Sequence, residues 1–195
     1  MRDHGFGHAT RYPYRKQLWD AIATDIGNRA TLYMEFGVAK GSATRYWSEI
    51  LKNPDSRLHG FDTFEGLPEN WTSEYGKGSF STNGAVPQMN DPRVQFFKGR
   101  FDETLPHHVA PPHDVLFLNI DADLYSSTRY VLTTLQDAIV PGTYIYFDEF
   151  CVRTHELRAF DEFLSANRMK FRCVGATHSM GSVAFQRISG ESTEN

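Results

Sequence analysis

Apolar positions recur along this chain in two alternating patterns. Tyr14, Leu18, Ile22 and Ile26 fall at four-residue spacing, which places a stripe on one face of a helix. Residues 32–36, Leu-Tyr-Met-Glu-Phe, form instead a short run that ends in Gly37, the length and composition of a buried strand entering a tight turn. Ser42 is placed to cap a helix running to about residue 51, where Asn53-Pro54-Asp55 breaks it. The alternation then repeats. Strands are predicted at 58–61, 94–97, 115–120 and 143–147, and helices at 126–138 and 156–166. Two final strands, at 171–174 and 183–187, have no helix between them and read as an antiparallel edge pair. Continuous apolar strands alternating with helices predict a doubly wound α/β domain, its parallel sheet covered on both faces.

One segment breaks the rhythm. Residues 63–92 are punctuated by Gly66, Pro68, Gly76, Gly78, Gly84 and Pro87, and a connection that long is expected to be a lid or a binding loop. The expected organisation is an arm and helix over 1–30, one folded domain over 31–188, and a frayed tail over 189–195. No repeat or low-complexity tract is present.

Composition narrows the class. Of 195 residues 40% are hydrophobic, enough for a packed core, which excludes general disorder. With 24 acidic against 20 basic residues and a net charge of -4, the chain has no basic run that would favour nucleic acid. Two cysteines, Cys151 and Cys173, do not make a disulfide framework. No apolar stretch approaches a membrane span, and the start Met1-Arg2-Asp3-His4 is unlike a signal peptide. The expectation is a cytoplasmic protein with neither a membrane nor a nucleic-acid partner.

In a doubly wound sheet, ligands bind beyond the carboxyl ends of the strands. There the sequence places Glu35 with Gly37 and Gly41, then Asp62, Gly99-Arg100, Asp121 with Asp123, and Asp148-Glu149. The turn from Gly37 to Ser42 opens a helix N-terminus toward a ligand. It lacks the full G-x-G-x-x-G of a dinucleotide site, which disfavours a nicotinamide cofactor. Asp62, 21 residues after Gly41, is where a carboxylate would take two ribose hydroxyls. Asp121 and Asp123, two positions apart at a strand end, are expected to point the same way, and with Asp148-Glu149 they form hard oxygen donors suited to Mg²⁺. The alternative is a set of turn and cap carboxylates facing water. His4, His8, His107, His108 and His113 lack zinc-ligand spacing and read as surface imidazoles; His155, close after the acidic edge, is a candidate for the acceptor pocket. No Gly-x-Ser-x-Gly elbow is present.

Four longer strings carry a resemblance. The run from Glu35 through Phe36 and Gly37 to Ser42 looks like motif I of class I S-adenosylmethionine-dependent methyltransferases. The phrases DTFEGLP from Asp62 and IDADLYSST from Ile120, with GRFDETLP from Gly99 between them, resemble the macrocin O-methyltransferase (TylF-like) family over most of the chain. The resemblance implies a seven-stranded Rossmann-like sheet and methyl transfer to a hydroxylated small molecule, often a sugar or natural-product scaffold. It implies that Glu35, Phe36, Gly37, Gly41 and Ser42 line the methionine and ribose side of the cofactor, and that Asp62 holds the ribose. Thr63, Phe64, Gly99, Arg100 and Asp121 would lie around the adenosine and the donor. Mg²⁺ would be held by Asp121, Asp148 and Glu149, with Asp123 as general base. Where antibiotic-tailoring members read Asp-Asp-Tyr, this chain reads Asp148-Glu149-Phe150, a ligand longer by one methylene. A homo-oligomer is compatible with the family. A scaffold that binds a cofactor or a partner without catalysis stands as the alternative.

Overall fold

The apolar runs pair side by side because their backbones can be buried only when every N–H and C=O finds a partner. In the computed structural model, which describes residues 9–189, strands β2 (Thr31–Phe36), β3 (Arg57–Asp62), β4 (Val94–Lys98), β5 (Val115–Ile120) and β6 (Tyr144–Phe147) lie parallel. With β1 (Thr10–Tyr12), β7 (Lys170–Thr177) and β8 (Val183–Ile188) they make an eight-stranded sheet of order β1-β7-β8-β6-β5-β2-β3-β4. Only β8 runs against its neighbours, pairing antiparallel with both β6 and β7.

Helices cover both faces. Helices α1 (Arg15–Ile26) and α2 (Ser42–Ile50) bury Leu18, Trp19, Ile22 and Trp47 against Tyr33 and Phe117. On the other face α4 (Tyr125–Thr134) and α5 (Glu156–Ala166) bury Val131, Leu132, Phe160 and Phe163 against Met34, Leu118 and Phe147. Each fully buried large side chain of this kind contributes about 1.5–3 kcal/mol, so the two layers fix the sheet as a rigid floor. A four-residue helix, α3 (Phe101–Thr104), and a 3-10 turn (Leu105–His107) follow β4.

The fold class agrees with the sequence, and the details differ for physical reasons. The sheet has eight strands rather than seven. The polar arm adds β1 alongside β7, where Gly175 leaves room: a Cβ there would lie 2.8 Å from the Tyr12 ring and 2.9 Å from Leu18. The β7–β8 pair is therefore not the edge. Tyr14, taken as part of the helical stripe, is the exposed N-cap of α1. Ser42 is the first residue of α2, and Gly41, at φ +73°, is its cap. The helix expected over 126–138 ends at Thr134. His108 is not a surface imidazole: its Nε2 lies 2.8 Å from Nδ1 of buried His59, and the pair stacks edge-on to Phe61 and Phe97. Burial, then His108 and Arg57, pushes His59 down to about 4. His4, His8 and all of the tail expected to fray except Ser189 lie outside the described residues.

Candidate active site

The carboxyl ends of β2, β3, β5 and β6 open on one cavity of about 1030 Å³, roofed by the loop between β3 and β4. That loop is folded. Phe64 C=O accepts from the amides of Thr82 and Gly84, Leu67 and Ser79 pair across it, and Glu69 accepts from Ser126 Oγ on α4 at 2.5 Å. Trp71, Tyr75 and Phe80 cluster on its inner side, with Trp71 and Tyr75 stacked at 5.5 Å. All three rings line the cavity.

At the first turn, Gly37 stands at φ +95°, and a Cβ there would fall 1.8 Å from the Asp121 carbonyl oxygen. Glycine is thus demanded by the neighbouring chain rather than by a ligand. Asp62 ties the turn down: Oδ2 accepts from the amides of Val38 (2.8 Å) and Ala39 (2.7 Å), and Oδ1 from Phe64 (2.7 Å). A carboxylate has about four lone-pair sites, so capacity is left for a further donor from the cavity. Glu35 is buried, and its Oε2 accepts from Tyr33 (2.8 Å) and Thr44 (2.6 Å). Burial pushes it up to about 7 despite those two hydrogen bonds.

The acidic edge is built from turns. Beyond β5, the Leu124 amide donates to Ala122 C=O at 2.5 Å, closing a three-residue turn around Asp123 at φ +58°. Positive φ at a non-glycine residue stores strain that the surroundings must hold in place. Burial first, then Glu149 and Asp148, push Asp123 up to about 7. Burial first, then Asp148, Asp123, Glu156 and Glu35, hold Asp121 well above the usual carboxylate range. Asp148, beyond β6, accepts from the Tyr146 hydroxyl and from Ser182 Oγ (3.1 Å) at Oδ1, and from Arg15 Nη1 (2.8 Å) at Oδ2.

Of the residues singled out in the sequence, Glu35, Gly37, Ser42, Asp62, Thr63, Arg100, Asp121, Asp123 and Glu149 line the cavity. Arg100 does so while paired to Asp102 at 2.9 Å. The others stand behind the wall. Phe36 stacks on Phe61 in the core, Phe64 is buried against Phe96, Gly41 caps α2, and Gly99 turns the chain after β4. His155 accepts from the Tyr125 amide at 3.3 Å and packs edge-on to Trp71, so it props up α4 and the loop instead of facing an acceptor. Asp148 faces a smaller recess of about 370 Å³ that Arg15 and Glu149 share with the main cavity.

The expected Mg²⁺ donors do not fit that ion as arranged. Mg²⁺ needs oxygens free for near-octahedral bonding at about 2.0–2.1 Å. Three hydrogen bonds leave Asp148 a single lone pair, and it lies on the oxygen that the Arg15 guanidinium already holds, beside a positive charge that opposes a second cation. Among the described residues no group of three or more His, Cys, Asp or Glu side chains could hold a metal ion.

Sequence reading missed Arg15 and Glu156. Arg15 opens α1 with no acidic residue in the first turn, the wrong charge for a helix N-terminus, and that mismatch was the available signal of a distant acidic partner. Glu156 is fully buried, and its Oε2 accepts from the Glu149 amide at 3.0 Å; nothing in its local sequence marks it.

In sequence and in fold the chain resembles known O-methyltransferases. A family model described as macrocin O-methyltransferase (TylF) matches residues 16–174. The 8-demethyl-8-(2,3-dimethoxy-alpha-L-rhamnosyl)-tetracenomycin-C 4'-O-methyltransferase of Streptomyces olivaceus is 27% identical over 162 residues, covering 73% of this chain and 59% of that protein. The mycinamicin III 3''-O-methyltransferase of Micromonospora griseorubida is 28% identical over 157 residues, 69% of this chain and 58% of that protein. The chain therefore spans less than two thirds of the length of these relatives. Among solved structures, the calicheamicin methyltransferase CalS11 superposes with a TM-score of 0.67 at 22% identity, covering 92% of this chain and 82% of that one. The O-methyltransferase NovP gives 0.63 at 24%, covering 90% and 78%. At these identities the superpositions show the shared fold.

Proposed function

This chain belongs to the macrocin O-methyltransferase (TylF) family, and from that premise we propose that it transfers a methyl group from S-adenosylmethionine to a hydroxyl of a sugar or related natural-product scaffold. The observation that carries the proposal is the meeting of two features on one cavity: a glycine turn clamped by Asp62, and the strained Asp123 turn across from it. The names of the relatives support a glycosyl hydroxyl as acceptor.

When bound, the donor's sulfonium offers an electrophilic methyl; the acceptor oxygen forms the C–O bond as the C–S bond breaks, and the hydroxyl proton must leave. On this reading Asp62 takes the ribose hydroxyls with its spare lone pairs, while Glu35 and Ser42 border the methionine side. Thr63, Arg100 and Asp121 complete the cofactor wall. Asp123 receives the acceptor proton, since a base with affinity near neutral pH suits that task. Proximity and orientation supply the rest of the rate. No step runs through a metal, and no helix among the described residues is long and apolar enough to cross a membrane.

The test is calorimetry with S-adenosylhomocysteine together with methyl transfer to a panel of rhamnosylated acceptors. Asp123→Asn is expected to bind the nucleoside within about threefold of wild type while turnover falls about 10²–10⁴-fold, the usual worth of a general base. Full activity in that variant rejects Asp123 as the base. Nucleoside binding with no turnover on any acceptor would instead favour the non-catalytic binding scaffold.

A further inference from the structure

Acidic side chains crowd one edge of the sheet, and the chain places a cation among them from its N-terminal helix. Arg15 Nη1 lies 2.8 Å from Asp148 Oδ2, and Glu35, Asp121 and Glu149 are within its electrostatic reach. Its guanidinium carbon sits 5.2 Å from the centroid of the Trp19 ring, which is itself buried in the core and cannot yield. Tyr146 and Ser182 hold the far oxygen of Asp148, so the carboxylate is fixed in the orientation that meets the guanidinium. Arg15 also borders both the main cavity and the adjoining recess, with nearly half of its side chain still exposed. A planar, permanently charged group held this way presents further N–H donors to whatever enters.

We propose that Arg15 is the resident cation of this site: it neutralises Asp148 and orients the acceptor oxygen where a divalent metal would otherwise be needed. The transfer step rests on the methyltransferase reading above; the charge balance does not. Arg15 acts as a positioning residue, holding the acceptor oxygen between the donor methyl and Asp123 while no metal bridges the carboxylates. The departure at Glu149 fits, because a longer acid opposite a guanidinium meets no octahedral constraint.

The test follows Mn²⁺ by electron paramagnetic resonance during titration of wild type, Arg15→Lys, Arg15→Ala, and Arg15→Ala combined with Asp148→Asn. Wild type is expected to leave Mn²⁺ free up to millimolar concentrations. Arg15→Ala is expected to gain at least tenfold in Mn²⁺ affinity, and the added Asp148→Asn to abolish the gain, a pattern that loss of a merely structural residue would not produce. Turnover of wild type should change less than twofold on exhaustive chelation. In chelator, Arg15→Ala should fall about 10²–10³-fold, the loss typical of one positioned electrostatic donor, with Arg15→Lys recovering at least tenfold of it. Micromolar Mn²⁺ binding by wild type, or turnover lost to chelator and restored by Mg²⁺, overturns the proposal. Both measurements use wild type and so do not depend on the folding of the alanine variant. S-adenosylhomocysteine binding in the same samples tests the methyltransferase reading separately, because the Mn²⁺ titrations need no turnover.

Discussion

Glu35 sits at the end of a strand whose side chains are all buried, and its carboxyl has two hydroxyl donors and no cation in contact. Its affinity for a proton therefore rises from 4.5 to about 7, with burial the largest cause. The folded state then binds more protons than the unfolded chain across that interval, so the stability Glu35 contributes is complete below about 4.5 and lost as pH climbs through about 7. A shift of this size corresponds to roughly 3 kcal/mol. In Glu35→Gln, denaturant unfolding at pH 5 and pH 8 should show a pH-dependent loss smaller by about that amount. His59, with its opposite slope, is present in both proteins and cancels from the comparison. Equal pH slopes in the two proteins would mean that Glu35 is ionised in the fold. Residue identities of this kind were legible in the sequence, but their geometry was not. Asp121 and Asp123 do share a wall, yet through a turn at positive φ, because β5 stops at Ile120 and strand alternation does not reach them.

At the scale of elements, what the sequence showed was local and what it hid was long-range. The segment after β3 stood out by its length and its glycines and prolines, the marks from which a lid or binding loop is expected. Its shape depends on hydrogen bonds from Phe64 C=O to Thr82 and Gly84 and on a tether from Glu69 to α4, contacts that no local pattern encodes. Strand β1 was invisible for the same reason: three residues pair only because β7 offers an edge and Gly175 offers space. The loop carries a prediction of its own. Trp71, Tyr75 and Phe80 present flat apolar faces to the cavity, and the Trp71 indole N–H is buried with no acceptor. An acceptor sugar stacked on those faces would gain apolar contact. Trp71→Ala is expected to raise the acceptor KM about tenfold while kcat falls less than threefold, because it removes binding shared by ground and transition states. A fall in kcat at unchanged KM would place Trp71 in the chemistry itself.

For the molecule as a whole, the two apolar layers hold the sheet still while the cavity lies at its carboxyl edge, enclosed by turns, the loop after β3 and the ends of helices. A ligand that binds the native state alone stabilises all of it by mass action, about 2.7 kcal/mol at a hundredfold excess over Kd. For a chain of 195 residues this raises Tm by roughly 5–10 °C. Asp62 makes the prediction sharp because it does two separable things. It clamps the amides of Val38, Ala39 and Phe64 in the free protein, and on the proposed reading it also takes the ribose hydroxyls. Asp62→Asn keeps one acceptor oxygen for the clamp and replaces the other with a donor, so its own Tm should drop by a few degrees. If the carboxylate binds ribose, the increment produced by S-adenosylhomocysteine, referenced to the variant's own unliganded Tm, should shrink to under about 2 °C. A lowered baseline with the full increment retained would leave Asp62 as a loop clamp alone and move ribose recognition elsewhere on the wall.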